Sequence, residues 1–203
     1  MYTSGSTGEP KAVMVTHHNV VNMALHHWPR GSIRRRMSMS ASQGFDASTF
    51  ELWTTLLRGG TLVIASNTNH DIIALTQLIT ERGVTSMFVP TPLFHQIAEA
   101  DLRGFDQVTE IGTGGDVLSA ATVNRLRATH PQLTILNAYG PTEITVCATM
   151  YLVTPTSVFT GESVPIGGPL GNVRVFVLDA GLCPVPVGVA GELYIAGAGV
   201  ARG

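Results

Sequence analysis

The stretch TSMFVPTPLFHQIAEA (residues 85–100) contains the change of pattern that decides the fold class. Residues 85–90 form a short run rich in apolar side chains and closed by a proline, which is typical of a buried strand. Residues 91–100 predict a helix with Pro92 in its first turn, where proline is well tolerated. The stretch therefore predicts a strand that leads directly into a helix.

The same alternation extends to both sides of this stretch. Upstream we predict a helix over 47–60 closed by Gly59 and Gly60, a buried strand over 61–65, and a helix over 71–83 with Asp71 as N-cap and Gly83 at its end. Downstream we predict a strand over 108–115, a helix over 119–131 capped by Ser119, and a strand over 133–140. Repeats at intervals of roughly 25 residues favour right-handed βαβ units. The fold class is therefore α/β, a mainly parallel sheet with flanking helices over about residues 1–150.

The pattern changes after about residue 150. Residues 172–180 and 191–197 predict strands, and the segment between them is rich in proline and glycine and has no helical pattern. We therefore predict an antiparallel or barrel-like β portion that follows the parallel sheet.

The composition excludes several classes of protein. Hydrophobic residues make up 44% of the chain and charged residues 13%, which is too apolar for a disordered protein. The net charge of -2 favours neither nucleic acid nor a membrane surface as partner, and Arg34–Arg36 is interpreted as a solvated turn. No apolar run reaches the ~18–20 residues of a membrane span. We expect a cytoplasmic protein in which Cys147 and Cys183 are reduced and mostly buried.

Ligands of parallel sheets lie beyond the carboxyl ends of the strands. At these ends, two predicted strands carry GTGGD (112–116) and NAYGPTE (137–143), both polar and glycine-rich. In the second, Tyr139 can stack on a flat ring, Thr142 can donate to a phosphate and Glu143 can offer an oxygen to Mg²⁺. The alternative is an ordinary turn with an exposed glutamate.

The opening sequence YTSGSTGEPK (2–11) has the composition of a loop that binds a polyphosphate. Hydroxyl groups and flexible glycine backbone can donate hydrogen bonds to phosphate oxygens, and Lys11 can offset their charge. The spacing is not that of the common nucleotide-binding P-loop. A glycine- and serine-rich turn without a ligand is the alternative.

Asp46 lies in the apolar segment FDASTFELW (45–53), at the start of a predicted helix. Such an aspartate is most often an N-cap. The alternative is a buried carboxylate that pairs with a cationic group of a ligand. Composition does not choose between these two interpretations.

Together and in this order, these elements closely resemble the adenylation domains of nonribosomal peptide synthetases, within the adenylate-forming enzyme superfamily. The opening loop resembles the phosphate loop of the family, FDAS its substrate-amine motif, NAYGPTE its adenine and magnesium motif, and GELYIAGAGVARG (191–203) its next core motif. The resemblance spans residues 2–203. Two departures are Ala12, where glycine is usual, and Val200, where leucine is usual.

The resemblance implies that an amino acid and MgATP form an aminoacyl-adenylate and pyrophosphate. Residues that would cradle the β,γ-phosphates are Thr3, Ser4, Gly5, Ser6, Thr7, Gly8 and Lys11, and Thr142 would contact the α-phosphate. Residues that would frame the adenine are Gly114, Gly115, Asn137, Ala138 and Tyr139. Glu143 and Thr3 would bind Mg²⁺, and Asp46 would accept the substrate α-ammonium.

The resemblance also implies a pocket for the substrate side chain. Its residues would be Asp46, Ala47, Phe50, Phe88, Gly112, Gly114, Ala138, Val146 and Cys147. Since Asp46 alone among them is charged, a charged substrate side chain would be left unpaired. We therefore expect an aliphatic amino acid such as Ile, Val or Leu.

The family pattern continues past residue 203, where a mobile C-terminal domain carries the principal lysine of adenylate formation. We therefore expect residues 1–203 to be a partial AMP-binding domain that lacks the start of the N-terminal domain and the whole lysine-bearing domain, with little activity alone. Expected partners are peptidyl carrier and condensation domains, the former with a phosphopantetheine arm. Two alternatives are an acyl- or aryl-CoA ligase of the same superfamily and a catalytically silent nucleotide-binding module.

Overall fold

The computed structural model describes residues 1–3, 10–26, 35–65, 71–100 and 104–203. The helices are α1 (His17–His26), α2 (Asp46–Leu56), α3 (Ile72–Arg82), α4 (Thr91–Glu99) and α5 (Ala120–Thr129), with a 3₁₀ helix at Thr142–Ile144. The strands are β1 (Tyr2–Thr3), β2 (Lys11–Ala12), β3 (Arg36–Met39), β4 (Thr61–Ile64), β5 (Ser86–Pro90), β6 (Glu110–Gly114), β7 (Thr134–Tyr139), β8 (Thr149–Val153), β9 (Gly168–Pro169), β10 (Val173–Leu178) and β11 (Glu192–Gly197).

The main sheet has seven strands in the order β4-β3-β5-β6-β7-β8-β9. Pairing is parallel from β4 to β7, and antiparallel between β7 and β8 and between β8 and β9. The predicted α/β class with a mainly parallel sheet is confirmed. The later β portion is antiparallel as predicted: within the described ranges β10 pairs with β11 alone, as a two-stranded sheet and not as a barrel.

Local sequence signals place the starts of α3 and α5 and the end of α3 as predicted, whereas α2 ends at Leu56, before the predicted stop at Gly59 and Gly60. The Asp71 carboxylate accepts a hydrogen bond from the Ile73 N–H, and Ser119 Oγ accepts one from the Thr122 N–H, so both act as N-caps. Gly83 ends α3 in the left-handed conformation, with φ of 62°. Pro92 lies in the first turn of α4.

The strands bury alternate side chains against helices on the two faces of the sheet. Met87 and Val89 of β5 belong to a core with side chains of α3, α4 and α5, such as Phe94. Phe88 points to the other face, where it joins a second core with Phe50 of α2 and Met23 of α1. Two layers of helices therefore enclose the sheet.

The prediction of a solvated turn at the arginine run is wrong for Arg35, which is buried. Arg36 is exposed, as predicted, but it begins β3 and does not lie in a turn. Arg35 is buried and forms a salt bridge with Glu110, which also accepts a hydrogen bond from Ser86 Oγ. Burial lowers the pKa of Arg35 to about 10, with Glu110 acting in the opposite direction. Arg34 lies outside the described residues. Strand β3 was not predicted, because the run of arginines at its start hides the apolar pattern of a buried strand.

Helices within the described ranges are all too short or too polar to cross a bilayer. Of the two free cysteines, Cys147 is buried as expected, whereas Cys183 is exposed between β10 and β11.

Candidate functional site

Two cavities open side by side at the carboxyl ends of the central parallel strands. One, the Asp46 cavity, has a volume of about 310 Å³. The other, the Tyr139 cavity, has a volume of about 470 Å³. Gly115, Ala138 and Gly140 line both of them. The cavities therefore adjoin at the ends of β6 and β7, where a parallel sheet is expected to bind its ligands.

Several secondary-structure elements contribute residues to the wall of the Asp46 cavity. Asp46 and Ala47 come from the first turn of α2, Phe88 and Pro90 from the end of β5, and Val146 from the segment after the 3₁₀ helix. Among the described residues that line the cavity, Asp46 alone carries a charge. The site thus presents a single carboxylate in largely apolar surroundings.

Asp46 is the first residue of α2, and the N-cap position is Phe45, so the interpretation of Asp46 as an N-cap is wrong. Its carboxylate instead accepts a hydrogen bond from Thr142, with 2.7 Å between Oδ2 and Oγ1. A hydroxyl group has one proton to donate. While Thr142 donates to Asp46, its side chain cannot donate to a phosphate as well.

Two glycines allow the backbone to close around the cavities. A Cβ atom at Gly114 would lie 2.5 Å from the carbonyl oxygen of Ala138 on the neighbouring strand. A Cβ atom at Gly140 would lie 2.6 Å from Cα of Cys147. Any side chain at either position would push apart the segments that form the cavity walls.

The segment after the 3₁₀ helix is held in a strained conformation. Thr145 and Val146 both have positive φ, 63° and 76°, which β-branched residues rarely adopt. The buried Thr145 side chain donates a hydrogen bond of 2.8 Å to the carbonyl of Gly199. This anchor supports the turn that places Val146 in the wall of the Asp46 cavity.

Most of the residues predicted for a substrate pocket lie together. Asp46, Ala47, Phe88, Gly114, Ala138 and Val146 line the Asp46 cavity. The structure places Phe50, Gly112 and Cys147 outside its lining. Phe50 packs behind Phe88, with 4.8 Å between the ring centroids. Phe50, Gly112 and Cys147 are all buried.

The thiol of Cys147 belongs to the core and not to the reactive surface. Burial, and to a lesser degree the nearby charge of Asp46, raises the pKa of Cys147 to about 12. The thiol therefore stays protonated at neutral pH and contributes as a small apolar group.

The Tyr139 cavity contains four of the five residues predicted to frame an adenine, namely Gly115, Asn137, Ala138 and Tyr139. Gly114 lines the Asp46 cavity instead. The Asn137 side chain donates hydrogen bonds to the carbonyls of Val164 and Pro165, at 3.2 and 3.0 Å. Asn137 therefore fixes the opposite wall of the cavity.

Sequence reasoning missed several wall residues. In the Tyr139 cavity these include Asp116, Val117, Leu118, Ser163, Val164 and Ile166, and in the Asp46 cavity Ser40, Ala41, Phe45, Pro90 and Gly140. Phe45, Asp116 and Gly140 lie within stretches that were identified from the sequence, although no role was predicted for them. Residues 163–166 carry no local sequence signal, because a long-range contact brings them there: the Ala120 N–H donates to the carbonyl of Glu162.

The predicted phosphate loop is only partly described. Ser4, Gly5, Ser6, Thr7 and Gly8 lie outside the described residues. On either side of them, Thr3 of β1 pairs with Lys11 of β2, whose side chain is exposed.

Two backbone hydrogen bonds connect the paired strands β1 and β2 with the 3₁₀ helix through residues 201–202. The Ala201 N–H donates to the carbonyl of Glu143, and the next residue, Arg202, donates to the carbonyl of Met14 shortly after β2. Residues 201–202 therefore link Glu143 to the segment that follows β2. Two motifs that lie far apart in sequence meet in this way.

Glu143 is exposed on the 3₁₀ helix. Among the described residues there is no group of three or more His, Cys, Asp or Glu side chains that could hold a metal. One exposed carboxylate suits Mg²⁺, which binds through one or two carboxylates together with phosphate oxygens and water. The site is therefore compatible with a magnesium ion that arrives with a nucleotide.

Comparison with known proteins places these features in a family. The family described as AMP-binding enzyme matches residues 1–203 of the chain. Tyrocidine synthase 3 of Brevibacillus parabrevis is 39% identical over 205 residues, which cover 100% of this chain and 3% of that protein. Malpibaldin synthetase of Mortierella alpina is 41% identical over 205 residues, covering 100% of this chain and 4% of that protein. The chain thus spans a small part of the length of these relatives.

Solved structures give the same result. An NRPS protein containing adenylation and PCP domains is 33% identical, with a TM-score of 0.91, and the match covers 100% of this chain and 41% of that one. The N-terminal subdomain of Klebsiella oxytoca NpsA in complex with 3-hydroxybenzoyl-AMSN is 31% identical, with a TM-score of 0.84, covering 100% of this chain and 50% of that one. The predicted resemblance to adenylation domains of nonribosomal peptide synthetases is confirmed. The chain belongs to the AMP-binding enzyme family.

Proposed function

We propose that the protein activates an amino acid with ATP as an aminoacyl-adenylate, for loading onto a peptidyl carrier protein in nonribosomal peptide synthesis. The observation that carries the proposal is the lone carboxylate of Asp46 in a largely apolar cavity that adjoins a second cavity. An α-ammonium group suits this carboxylate, which is half-buried among apolar side chains and has acceptor positions besides the one that Thr142 occupies.

The two cavities suit the two halves of an aminoacyl-adenylate. The amino acid occupies the Asp46 cavity and the adenine the Tyr139 cavity, against Tyr139. The reacting groups then meet near Gly115 and Gly140, which both cavities share. There a carboxylate oxygen of the substrate attacks the α-phosphorus, and the bond from this phosphorus to the bridging oxygen of the β-phosphate breaks. Pyrophosphate carries away the electron pair.

The protein forms no covalent bond to the substrate in this step. Most of the rate acceleration comes from positioning of the reacting groups and from stabilisation of charge in the transition state. The hydroxyl and backbone groups of residues 3–8, with Lys11, hold the departing phosphates. Thr142 contacts the α-phosphate, through its backbone while its hydroxyl donates to Asp46. Glu143, with Thr3, would hold Mg²⁺, which would offset the charge of the phosphates.

The walls of the Asp46 cavity favour an aliphatic side chain. Phe88 and Val146 offer apolar surface, whereas Gly114 and Ala138 leave space. No described lining residue besides Asp46 could pair with a charged side chain. We propose Ile, Val or Leu as substrate, a cytoplasmic location, and a phosphopantetheine-bearing carrier and a condensation domain as partners.

Pyrophosphate exchange dependent on each proteinogenic L-amino acid, measured with the full-length protein, tests the proposal. We expect exchange with Ile, Val or Leu. Strong preference for aspartate, glutamate or lysine would contradict the proposed substrate class, and exchange with none would contradict the activity.

A second candidate is an acyl- or aryl-CoA ligase of the same superfamily. The NpsA subdomain is solved with a 3-hydroxybenzoyl group, which has no α-ammonium. The carboxylate of Asp46 favours an amino acid over such an acid. Formation of a CoA thioester from an aryl or fatty acid would support the ligase, and nucleotide binding without any turnover would support a silent nucleotide-binding module.

A further inference from the structure

We propose that Thr142 is a positioning residue for Asp46, and that its hydroxyl group fixes the carboxylate in the orientation that selects an α-ammonium group. This inference rests on the proposed function, because it concerns how the same cavity recognises an amino acid. It goes beyond that function by giving Thr142 a role in the specificity for the amine in addition to any contact with phosphate.

The hydrogen bond joins two elements that are distant in sequence. Asp46 begins α2 and Thr142 begins the 3₁₀ helix after β7, 96 residues later. The distance of 2.7 Å between Oγ1 and Oδ2 is that expected of a well-formed hydrogen bond between a hydroxyl group and a carboxylate. The contact therefore ties the amine end of the cavity to the segment predicted to meet the α-phosphate.

The donor is itself firmly placed. The carbonyl of Thr142 accepts a hydrogen bond from the Thr145 N–H at 3.0 Å, and the carbonyl of Glu143 accepts one from the Ala201 N–H at 2.8 Å. Thr145 is in turn anchored to Gly199 through its hydroxyl group. The Thr142 hydroxyl thus acts from a braced turn and not from a free loop.

Asp46 retains the capacity to bind an ammonium group. An ionised carboxylate has about four acceptor positions, and Thr142 occupies one of them on Oδ2. Because Thr142 holds the carboxylate, less side-chain freedom is lost when the ligand binds. The apolar neighbours Ala47, Phe88 and Val146 cannot provide this orientation by hydrogen bonding.

The test compares two probes that differ only in the amino group, L-leucyl sulfamoyladenosine and 4-methylpentanoyl sulfamoyladenosine. The Kd of each for the full-length protein is measured by calorimetry. The ratio of the two Kd values, the amine preference, cancels contacts to the adenosine and the sulfamate because both probes share them. The amine preference therefore reports how Thr142 acts through Asp46 on binding of the amino group, separately from any contact of Thr142 with the phosphate position.

Three variants complete the test. We expect Thr142→Val to lower the amine preference about ten-fold, the usual effect of one hydrogen bond to a charged group. Thr142→Ser, which keeps the hydroxyl group, retains the preference, and Asp46→Asn abolishes it. Circular dichroism confirms that each variant is folded.

Each other result contradicts a distinct claim. If Thr142→Val weakens both probes equally and leaves the ratio unchanged while Asp46→Asn abolishes it, the positioning role is wrong and the proposed function stands. If the unmodified protein shows no amine preference, or binds neither these probes nor their isoleucyl and valyl counterparts, the proposed function fails and the inference fails with it.

Discussion

The carboxylate of Glu51, buried within α2, accepts a hydrogen bond from the backbone N–H of Ala41, with 3.1 Å between Oε2 and N. Its other oxygen accepts from the N–H and the hydroxyl group of Ser40, both at 3.2 Å. Ser40 and Ala41 line the Asp46 cavity. A side chain that does not face the ligand therefore holds one wall of the predicted substrate site.

Glu51 predicts a pH-dependent contribution to stability. Burial raises its pKa from an ordinary value of 4.5 to about 7, against the opposing effect of the hydrogen bonds from Ser40 and Ala41. Below pH 4.5 the carboxyl group is protonated in both the folded and the unfolded protein. Between pH 4.5 and 7 only the unfolded chain ionises, so the folded state loses stability as the pH rises.

We expect Glu51→Gln to remove this dependence. The free energy of unfolding of the unmodified protein relative to the variant should fall by up to about 3 kcal/mol between pH 4.5 and pH 8. Urea denaturation at both pH values measures it. A difference between the two proteins that does not change with pH would show that Glu51 titrates in the ordinary range.

Gly114→Ala should damage both cavities at once. The added methyl group would meet the carbonyl of Ala138 at 2.5 Å, so β6 and β7 must separate at their carboxyl ends. We expect a loss of about 1–3 kcal/mol in stability and weaker nucleotide binding. Gly168→Ala is the control, since a Cβ atom there has no described neighbour within 4 Å. Equal effects of the two substitutions would contradict the close approach.

The salt bridge between Arg35 and Glu110 should matter for folding. Its partners are 2% and 8% exposed, so Glu110→Ala would leave a buried guanidinium without this counter-charge. We expect a loss of about 3 kcal/mol in the free energy of unfolding. Glu99→Ala removes the exposed pair with Arg125, and we expect little change. The same small effect of both substitutions would show that the buried salt bridge contributes no more to stability than the exposed one.

The two cysteines should differ in reactivity. Cys147 is buried with a pKa raised to about 12, whereas Cys183 is exposed. We expect a thiol reagent at pH 8 to label one cysteine per folded chain, and Cys183→Ser to abolish the labelling. Mass spectrometry of the labelled peptides locates the modification. Rapid labelling of Cys147 in the folded protein would show that the core around it opens.

Much of the fold follows from local signals. Asp71, Ser119 and Gly83 set helix ends through hydrogen bonds and backbone conformations that involve a few neighbouring residues. Strand β3 was missed because its first residue, Arg36, continues a run of charge. Its neighbour Arg35 is buried and forms a salt bridge with Glu110, and such a long-range pair has no local signature.

In the candidate site, too, residues with a local sequence signal were predicted and residues placed by long-range contacts were not. Motifs identified Asp46 at the start of α2 and Ala138 and Tyr139 at the end of β7, and all three line the cavities. Ser163 and Val164 were missed because their place in the wall depends on a contact across the fold. The hydrogen bond between Thr142 and Asp46 was missed for the same reason, although both residues were predicted separately.

The central claim is that the carboxylate of Asp46 recognises the amino group of an amino acid that is then adenylated. The most direct measurement is pyrophosphate exchange by the full-length protein with L-leucine, L-isoleucine or L-valine, each compared with the same acid without its amino group. We predict exchange with the amino acid alone, and its loss in Asp46→Asn. Equal exchange with the deamino acid, or undiminished exchange by Asp46→Asn, would contradict the account.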